Sequence, residues 1–255
     1  MQSVPQRPKL LLFDLDGTLL DDDKNISPRN LAAIRRCRDE GIVIGVATAR
    51  SEATSARYVS RFAPEVLISN SGGLVRVRGQ IVYQCGFTAD EAAVLVGAGV
   101  AEHRGITVDC ADTTYCSHVI DFFNEPGMTY TDFADFRHPA FKICIEGTDT
   151  DFAERTAALV EDCAWLAFSD CDWFKFSKSS VSKGSAIVHA GQALGIALAD
   201  ITAFGDDYVD TEMLRDCGVG VAMGNAVDGV KKCADVIIGN NNSDAIADYI
   251  ENYVL

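Results

Sequence analysis

Residues 10–23 read LLLFDLDGTLLDDD. An apolar run stops at Asp14, and a second aspartate follows one residue later at Asp16, just before Gly17 and Thr18. Taken from Lys9, the segment KLLLFDLD predicts a strand buried on both faces, because a continuous apolar run is what a parallel sheet carries between two layers of helices. Asp14 and Asp16 then fall at the carboxyl end of that strand, the rim along which open α/β sheets bind ligands. Two carboxylates so close repel each other, so the pair needs a chemical reason.

Outward from this strand, the chain alternates. SPRNLAAIRRCRDEG predicts a helix with Ser27 as N-cap, Pro28 in the first turn and Gly41 after the last. IVIGVAT and EVLISN predict further strands around a helix over SEATSARYVSRF, and LVRV and QIVYQ predict a hairpin across Arg78-Gly79. After residue 178 the rhythm returns. KGSAIVHAGQALG is a helix stopped at Gly195, ITAFGDD a strand, TEMLRDCG a helix, VGVAM and CADVII strands, and SDAIADYIENYVL a last helix begun by Ser243 or Asp244. This alternation predicts an α/β fold, a Rossmann-like doubly wound parallel sheet. The middle has another texture. Thr88 and Glu91 make a capping box for a helix running towards Gly105. ITVDCA, SHVIDFF, AFKICIEG, AWLAFS and WFKFS are strand candidates around a helix over DFAERTAALVED. The organisation expected is a discontinuous core of residues 1–85 and 179–255 with an inserted α+β domain over 86–178.

A chain of 255 residues has room for two such cores. Its net charge of −15 argues against a nucleic-acid partner, which demands clustered Lys and Arg. No run approaches the length of a membrane span, and the N-terminus lacks a signal-peptide pattern, so neither a membrane partner nor export is expected. Nine cysteines without a C-x-x-C pair read as reduced thiols of a cytoplasmic protein.

The strand ends gather the chemistry. Asp14 and Asp16 end the first strand, Thr48 and Arg50 the second, and Asn70 the third; Asp206 and Asp207 end ITAFGDD, with Asp210 just beyond. Singly, each has an ordinary explanation as a turn, a cap or a surface group. Together they converge on one rim. Hard oxygen ligands without His or Cys suit Mg²⁺ rather than zinc, and a divalent cation lets an acidic rim accept a phosphate. Lys183, opening a helix behind Ser182, and Thr48 offer an ammonium and a hydroxyl to phosphate oxygens.

FDLDGTLL, VATAR, SKGSAI and FGDDYVDTEML, in that order, resemble the four motifs of the haloacid-dehalogenase-like (HAD) hydrolases. GVGVAMGNAVDGVKKCADVII is similar to the tail of their Cof-like branch, whose type-two (IIB) α+β cap lies where residues 86–178 stand. The resemblance implies a HAD-type core with that cap and a phosphatase of small phosphate esters using Mg²⁺. It implies Asp14 as nucleophile and Asp16 as general acid and base. Thr48 and Lys183 would bind the transferring phosphoryl group, and Arg50 and Asn70 would join them as substrate-binding residues. The metal would be held by the Asp14 carboxylate, the Asp16 carbonyl, Asp206 and Asp210.

The fourth motif of that branch reads G-D-x-x-N-D, and Val209 stands in place of its Asn, removing a hydrogen-bonding group and implying altered or weakened catalysis. Ala49 replaces a frequent Gly, and SNSGG replaces Asn-Gly-Ala, neither touching the implied chemistry. A phosphomutase shares the aspartyl chemistry, and a weakened phosphate-binding protein is the non-catalytic alternative. Dinucleotide binding fails on the spacing of GVGVAMG, and dehalogenation on the D-x-D pair. In the inserted domain His118, Asp121, Asn124, Arg137, His138 and Trp173 are candidates to line a substrate pocket.

Overall fold

The computed structural model describes residues 7–117, 128–168 and 171–255. The chain packs as two units: one of residues 1–49, 57–83 and 182–255, the other of 50–56 and 84–181.

The first unit is built on a sheet whose centre is β1 (Leu10–Phe13). β1 pairs in parallel with β2 (Val43–Ala47) on one side and β12 (Ile201–Gly205) on the other. Beyond β2 lie β3 (Val66–Ser69), parallel, and β4 (Leu74–Val77), antiparallel to β3, then β5 (Gln80–Gln84) at the edge. Beyond β12 lie β13 (Val219–Ala222) and β14 (Val236–Ile237), both parallel. Side chains of β1 alternate between two cores, which is why the run is apolar throughout. Leu11 and Phe13 join Ile34 of helix α1 (Pro28–Asp39) and Ile246 and Ile250 of helix α8 (Ala245–Tyr253). Leu10 and Leu12 join Ile187 of helix α5 (Lys183–Leu194) and Met213 of helix α6 (Thr211–Asp216) on the other face. The doubly wound parallel sheet is therefore observed.

Local signals explain the element ends. Ser27 caps α1 by accepting from the Asn30 amide at 3.0 Å, and Gly195 closes α5 in a left-handed conformation, φ 67°. Arg78 and Gly79, at φ 49° and 80°, turn between β4 and β5. Helix α8 starts at Asp244, one of the two expected residues, but without a side-chain capping bond. The Asp244 carboxylate instead accepts from the Ser27 hydroxyl, tying α8 to the start of α1. Ser243 donates to the Asn240 carbonyl.

The second unit holds a six-stranded sheet in the order β10 (Cys163–Ala167), β11 (Trp173–Lys178), β9 (Lys142–Glu146), β6 (Ile106–Asp109), β7 (Thr114–Cys116), β8 (Met128–Tyr130). Only the β7–β8 pairing among its described ladders is parallel. Helix α3 (Ala89–Ala101) carries the expected Thr88–Glu91 capping box but ends before Gly105, and α4 (Thr150–Ala157) packs with it over Ile106, Val108, Ile143 and Ile145. By strand alternation Thr107, Asp109, Lys142 and Cys144 share the opposite face of the sheet. Of the expected strand SHVIDFF, Ser117 lies outside any strand and 118–123 fall outside the described residues. The short strands β7 and β8 and the helix α7 (Asp228–Cys233) were not expected. All nine cysteines are free. Among the described residues no helix is long and apolar enough to cross a membrane.

Candidate active site

Asp14 follows directly on β1, its amide donating to the Phe204 carbonyl of β12 at 3.0 Å. Its carboxylate is nearly sealed from solvent, and burial raises its pKa well above the ordinary carboxylate range. Lys183 opposes that shift, while Asp210 and Asp206 add to it. Lys183 is the first residue of α5, and its ammonium donates to Asp14 Oδ1 at 2.5 Å and to Asp210 Oδ1 at 2.6 Å. Its side chain is 1% exposed, so a position that reads as a surface lysine is a buried ion pair. Burial disfavours the charge, yet the two carboxylates prevail and hold Lys183 protonated more firmly than a free lysine.

Asp210 is fully buried, in the 3₁₀ turn Tyr208–Asp210 after β12. Its second oxygen accepts from the Asp206 and Asp207 amides at 3.0 and 3.1 Å, folding that loop around its carboxylate. Gly205 allows the turn, since a Cβ there would lie 2.6 Å from Cβ of Asp210. Asp206 accepts from the Thr18 hydroxyl at 2.7 Å. Burial chiefly raises its pKa to about 6, with Thr18 opposing and Asp210 adding. One oxygen from each of Asp14, Asp206 and Asp210 lies within 4.8 Å of the others. One ammonium facing three carboxylates leaves a local excess of negative charge, which a hard divalent cation such as Mg²⁺ fits.

The other expected residues sit as follows. Thr48 comes straight after β2, buried, with its amide donating to the Ile68 carbonyl at 2.8 Å and its carbonyl accepting from the Ser71 amide at 3.0 Å. Asn70 follows β3 in a buried turn. Asp16 is partly exposed, and its carboxylate accepts from Lys24 at 2.8 Å. Asp207 caps the Tyr208 turn, and Val209 is a half-buried apolar residue within it. Arg50 belongs to the second unit, where Lys142 feels its charge. Thus the fold joins Asp14, Lys183, Asp206 and Asp210 into one cluster and sets Thr48 and Asn70 next to each other through Ser71. In the second unit Arg137 donates to the Phe136 carbonyl, His138 stacks on Tyr115 and Trp173 is buried in β11. His118, Asp121 and Asn124 lie outside the described residues.

Sequence reading passed over several contributors. Thr18 orients Asp206 although it stands inside the quoted motif. Gly17, at φ 77°, is required because a Cβ would lie 2.3 Å from an Asp206 oxygen. Asn225, in the glycine-rich tail, donates to the Gly17 carbonyl at 2.8 Å and accepts from the Asn241 amide at 2.9 Å, bracing the loop after β1. Its signal was a lone Asn in MGNA, too weak to select.

Known proteins are similar to this chain over nearly its whole length. The profile of a family described as haloacid dehalogenase-like hydrolase matches residues 11–250. A 5-amino-6-(5-phospho-D-ribitylamino)uracil phosphatase of Bacillus subtilis is 28% identical over 269 residues, covering 97% of this chain and 98% of its own. A pyridoxal phosphate phosphatase of Escherichia coli is 27% identical, covering 97% and 99%. The crystal structure of a haloacid dehalogenase-like hydrolase from Bacteroides thetaiotaomicron superposes with a TM-score of 0.86 at 24% identity, over 96% of this chain and 99% of that one.

Proposed function

Because the chain belongs to the haloacid dehalogenase-like hydrolases, we propose that it is a Mg²⁺-dependent phosphatase of a small phosphorylated metabolite, working through an aspartyl phosphate. The observation that carries this reading is the buried Asp14–Lys183–Asp210–Asp206 cluster, with its unbalanced negative charge, at the carboxyl ends of β1 and β12. Relatives named for small phosphate esters support the substrate class.

Asp14 is the nucleophile. Its oxygen bonds to phosphorus as the bond to the leaving alcohol oxygen breaks, and Asp16 gives that oxygen a proton. Asp16 then takes a proton from water as the water oxygen attacks phosphorus and the bond to Asp14 breaks, releasing phosphate. Lys183 and the Thr48 hydroxyl hold the phosphoryl oxygens, so positioning and charge neutralisation supply most of the rate. Asp16 must exchange its Lys24 partner for the leaving oxygen before it can donate. Mg²⁺ fits the donor set, hard oxygens without His or Cys; Asp14, Asp206 and the Asp16 carbonyl would hold it, with Asp210 behind them. When bound it neutralises charge on the nucleophile and on the phosphoryl group. Residues 1–85 and 179–255 form the catalytic core in this reading, and 86–178 the cap that selects the ester, Arg50 assisting. Nine free thiols support a reducing, cytoplasmic setting.

Phosphate release from a panel of small esters, with Mg²⁺ and with chelator, tests the reading. Metal-dependent release is expected. Phosphate returned to a second hydroxyl of the ester would mark a phosphomutase instead, and no turnover of any ester a binding protein.

A further inference from the structure

The turn after β3 bears two costs. Asn70 and Ser71 adopt φ 53° and 58° in succession, the left-handed region that side chains disfavour. Both are buried, 1% and 6% exposed, and among the described residues Asn70 Oδ1 and Ser71 Oγ are buried side-chain oxygens without a hydrogen-bond partner. A glycine at 71 would relieve backbone and orphan hydroxyl together. Buried polar atoms left unpaired call for an explanation, and their neighbours supply one. The Ser71 amide donates to the Thr48 carbonyl. Gly72 packs so closely on the residue before Lys183 that a Cβ would lie 2.2 Å from the Ser182 carbonyl oxygen. The turn thus touches the backbone of Thr48 and of the residue before Lys183, the two residues assigned to the phosphoryl oxygens.

The polarity of the open atoms says what they fit. Asn70 Nδ2 donates to Ser69 Oγ at 3.4 Å, which leaves the amide oxygen open. That oxygen only accepts, as phosphoryl oxygens do, so its complement is a donor on the rest of the ester. Ser71 Oγ can both donate and accept. An acceptor beside a two-way hydroxyl complements an alcohol group. Resting on the phosphatase reading, we propose that Asn70 Oδ1 and Ser71 Oγ form a specificity subsite that binds a hydroxyl carried by the leaving alcohol.

Glycerol 1-phosphate and propyl phosphate differ only in hydroxyls. With the full chain and Mg²⁺, kcat/KM for the glycerol ester exceeds that for the propyl ester by about tenfold or more, as expected when a polar site meets an analogue lacking its partner. Ser71→Gly and Asn70→Gly each bring that ratio towards parity. Ser71→Gly keeps an equal or higher Tm, because glycine suits the left-handed backbone, so a lost preference cannot be read as a lost fold. Equal rates for the two esters in the unaltered protein, or a ratio unchanged in both variants, overturn the subsite. p-Nitrophenyl phosphate runs alongside: release from it without a hydroxyl preference overturns the subsite alone, whereas no release from any of the three overturns the phosphatase reading beneath it.

Discussion

Each unit of the chain sets a lysine against a carboxylate, half-buried in one and sealed in the other, and the surroundings of the two lysines differ. In the second unit Lys142 pairs with Asp109 at 2.7 Å across neighbouring strands, and the other Asp109 oxygen accepts from Thr114 at 2.7 Å. The Thr114 hydroxyl continues to Ser51 at 2.9 Å, so the carboxylate has a partner on each oxygen. Burial works against the Lys142 charge, but Asp109 outweighs it and raises the lysine pKa. In the first unit Lys183 faces Asp14 and Asp210 with Asp206 beside them, and both Asp14 and Asp206 are pushed towards protonation. A matched pair is what a fold tolerates; a surplus of buried anions is what a cation-assisted reaction requires.

The contrast can be broken at its strongest point first. Asp14→Asn removes the proposed nucleophile and should lower kcat by about ten-thousandfold or more with an unchanged far-UV circular dichroism spectrum; normal turnover would remove Asp14 from that role. Next, Lys183→Met strands Asp14 and Asp210 and should destabilise the protein by about 3–5 kcal/mol in denaturant titrations. The matched pair should behave otherwise. Lys142→Met with Asp109→Leu replaces both partners with apolar groups and should stay within about 1–2 kcal/mol of the original stability; a loss as large as that of Lys183→Met would erase the distinction.

The pH dependence sharpens it further. Asp206 has a folded pKa of about 6, above its ordinary 3.8, so the fold binds this proton more tightly than the unfolded chain does. Its contribution to stability is present below that ordinary value and lost as pH rises to about 6. In the proposed role Mg²⁺ must displace this proton, and any held by Asp14, so apparent Mg²⁺ affinity should fall by about tenfold or more per pH unit below the folded pKa. Mg²⁺ titrations of activity at several pH values check this, and a flat profile would contradict it. Gly17→Ala, which crowds Asp206 and strains a positive φ, should cost about 1–3 kcal/mol in denaturant titrations and weaken Mg²⁺ affinity.

What was legible in the sequence follows from what was local. Ser27, the Thr88–Glu91 box and Arg78-Gly79 announce themselves because cap and turn chemistry is written within a few residues. Asp244 stands at the expected N-cap of α8, but its carboxylate bonds Ser27, 217 residues away, which no local pattern shows. Strands β7 and β8, three residues each, are too short to show a period. In the site, Asp14, Lys183, Asp206 and Asp210 were visible as residue types at strand and helix ends. The Lys24 partner of Asp16, the Thr18 bond to Asp206 and the unpaired atoms of Asn70 and Ser71 arise only when separate segments meet.

The central position of β1 has a consequence for the order in which the protein is made. Its partner β2 follows within about thirty residues, but β12, on its other side, begins only at Ile201. A ribosome has therefore translated more than three quarters of the chain while one backbone edge of its most apolar strand stays unpaired. Lys183 and Asp210 emerge in the same late window, so the growing chain carries an exposed, adhesive strand and a lone Asp14, and assembly of the sheet coincides with assembly of the candidate site.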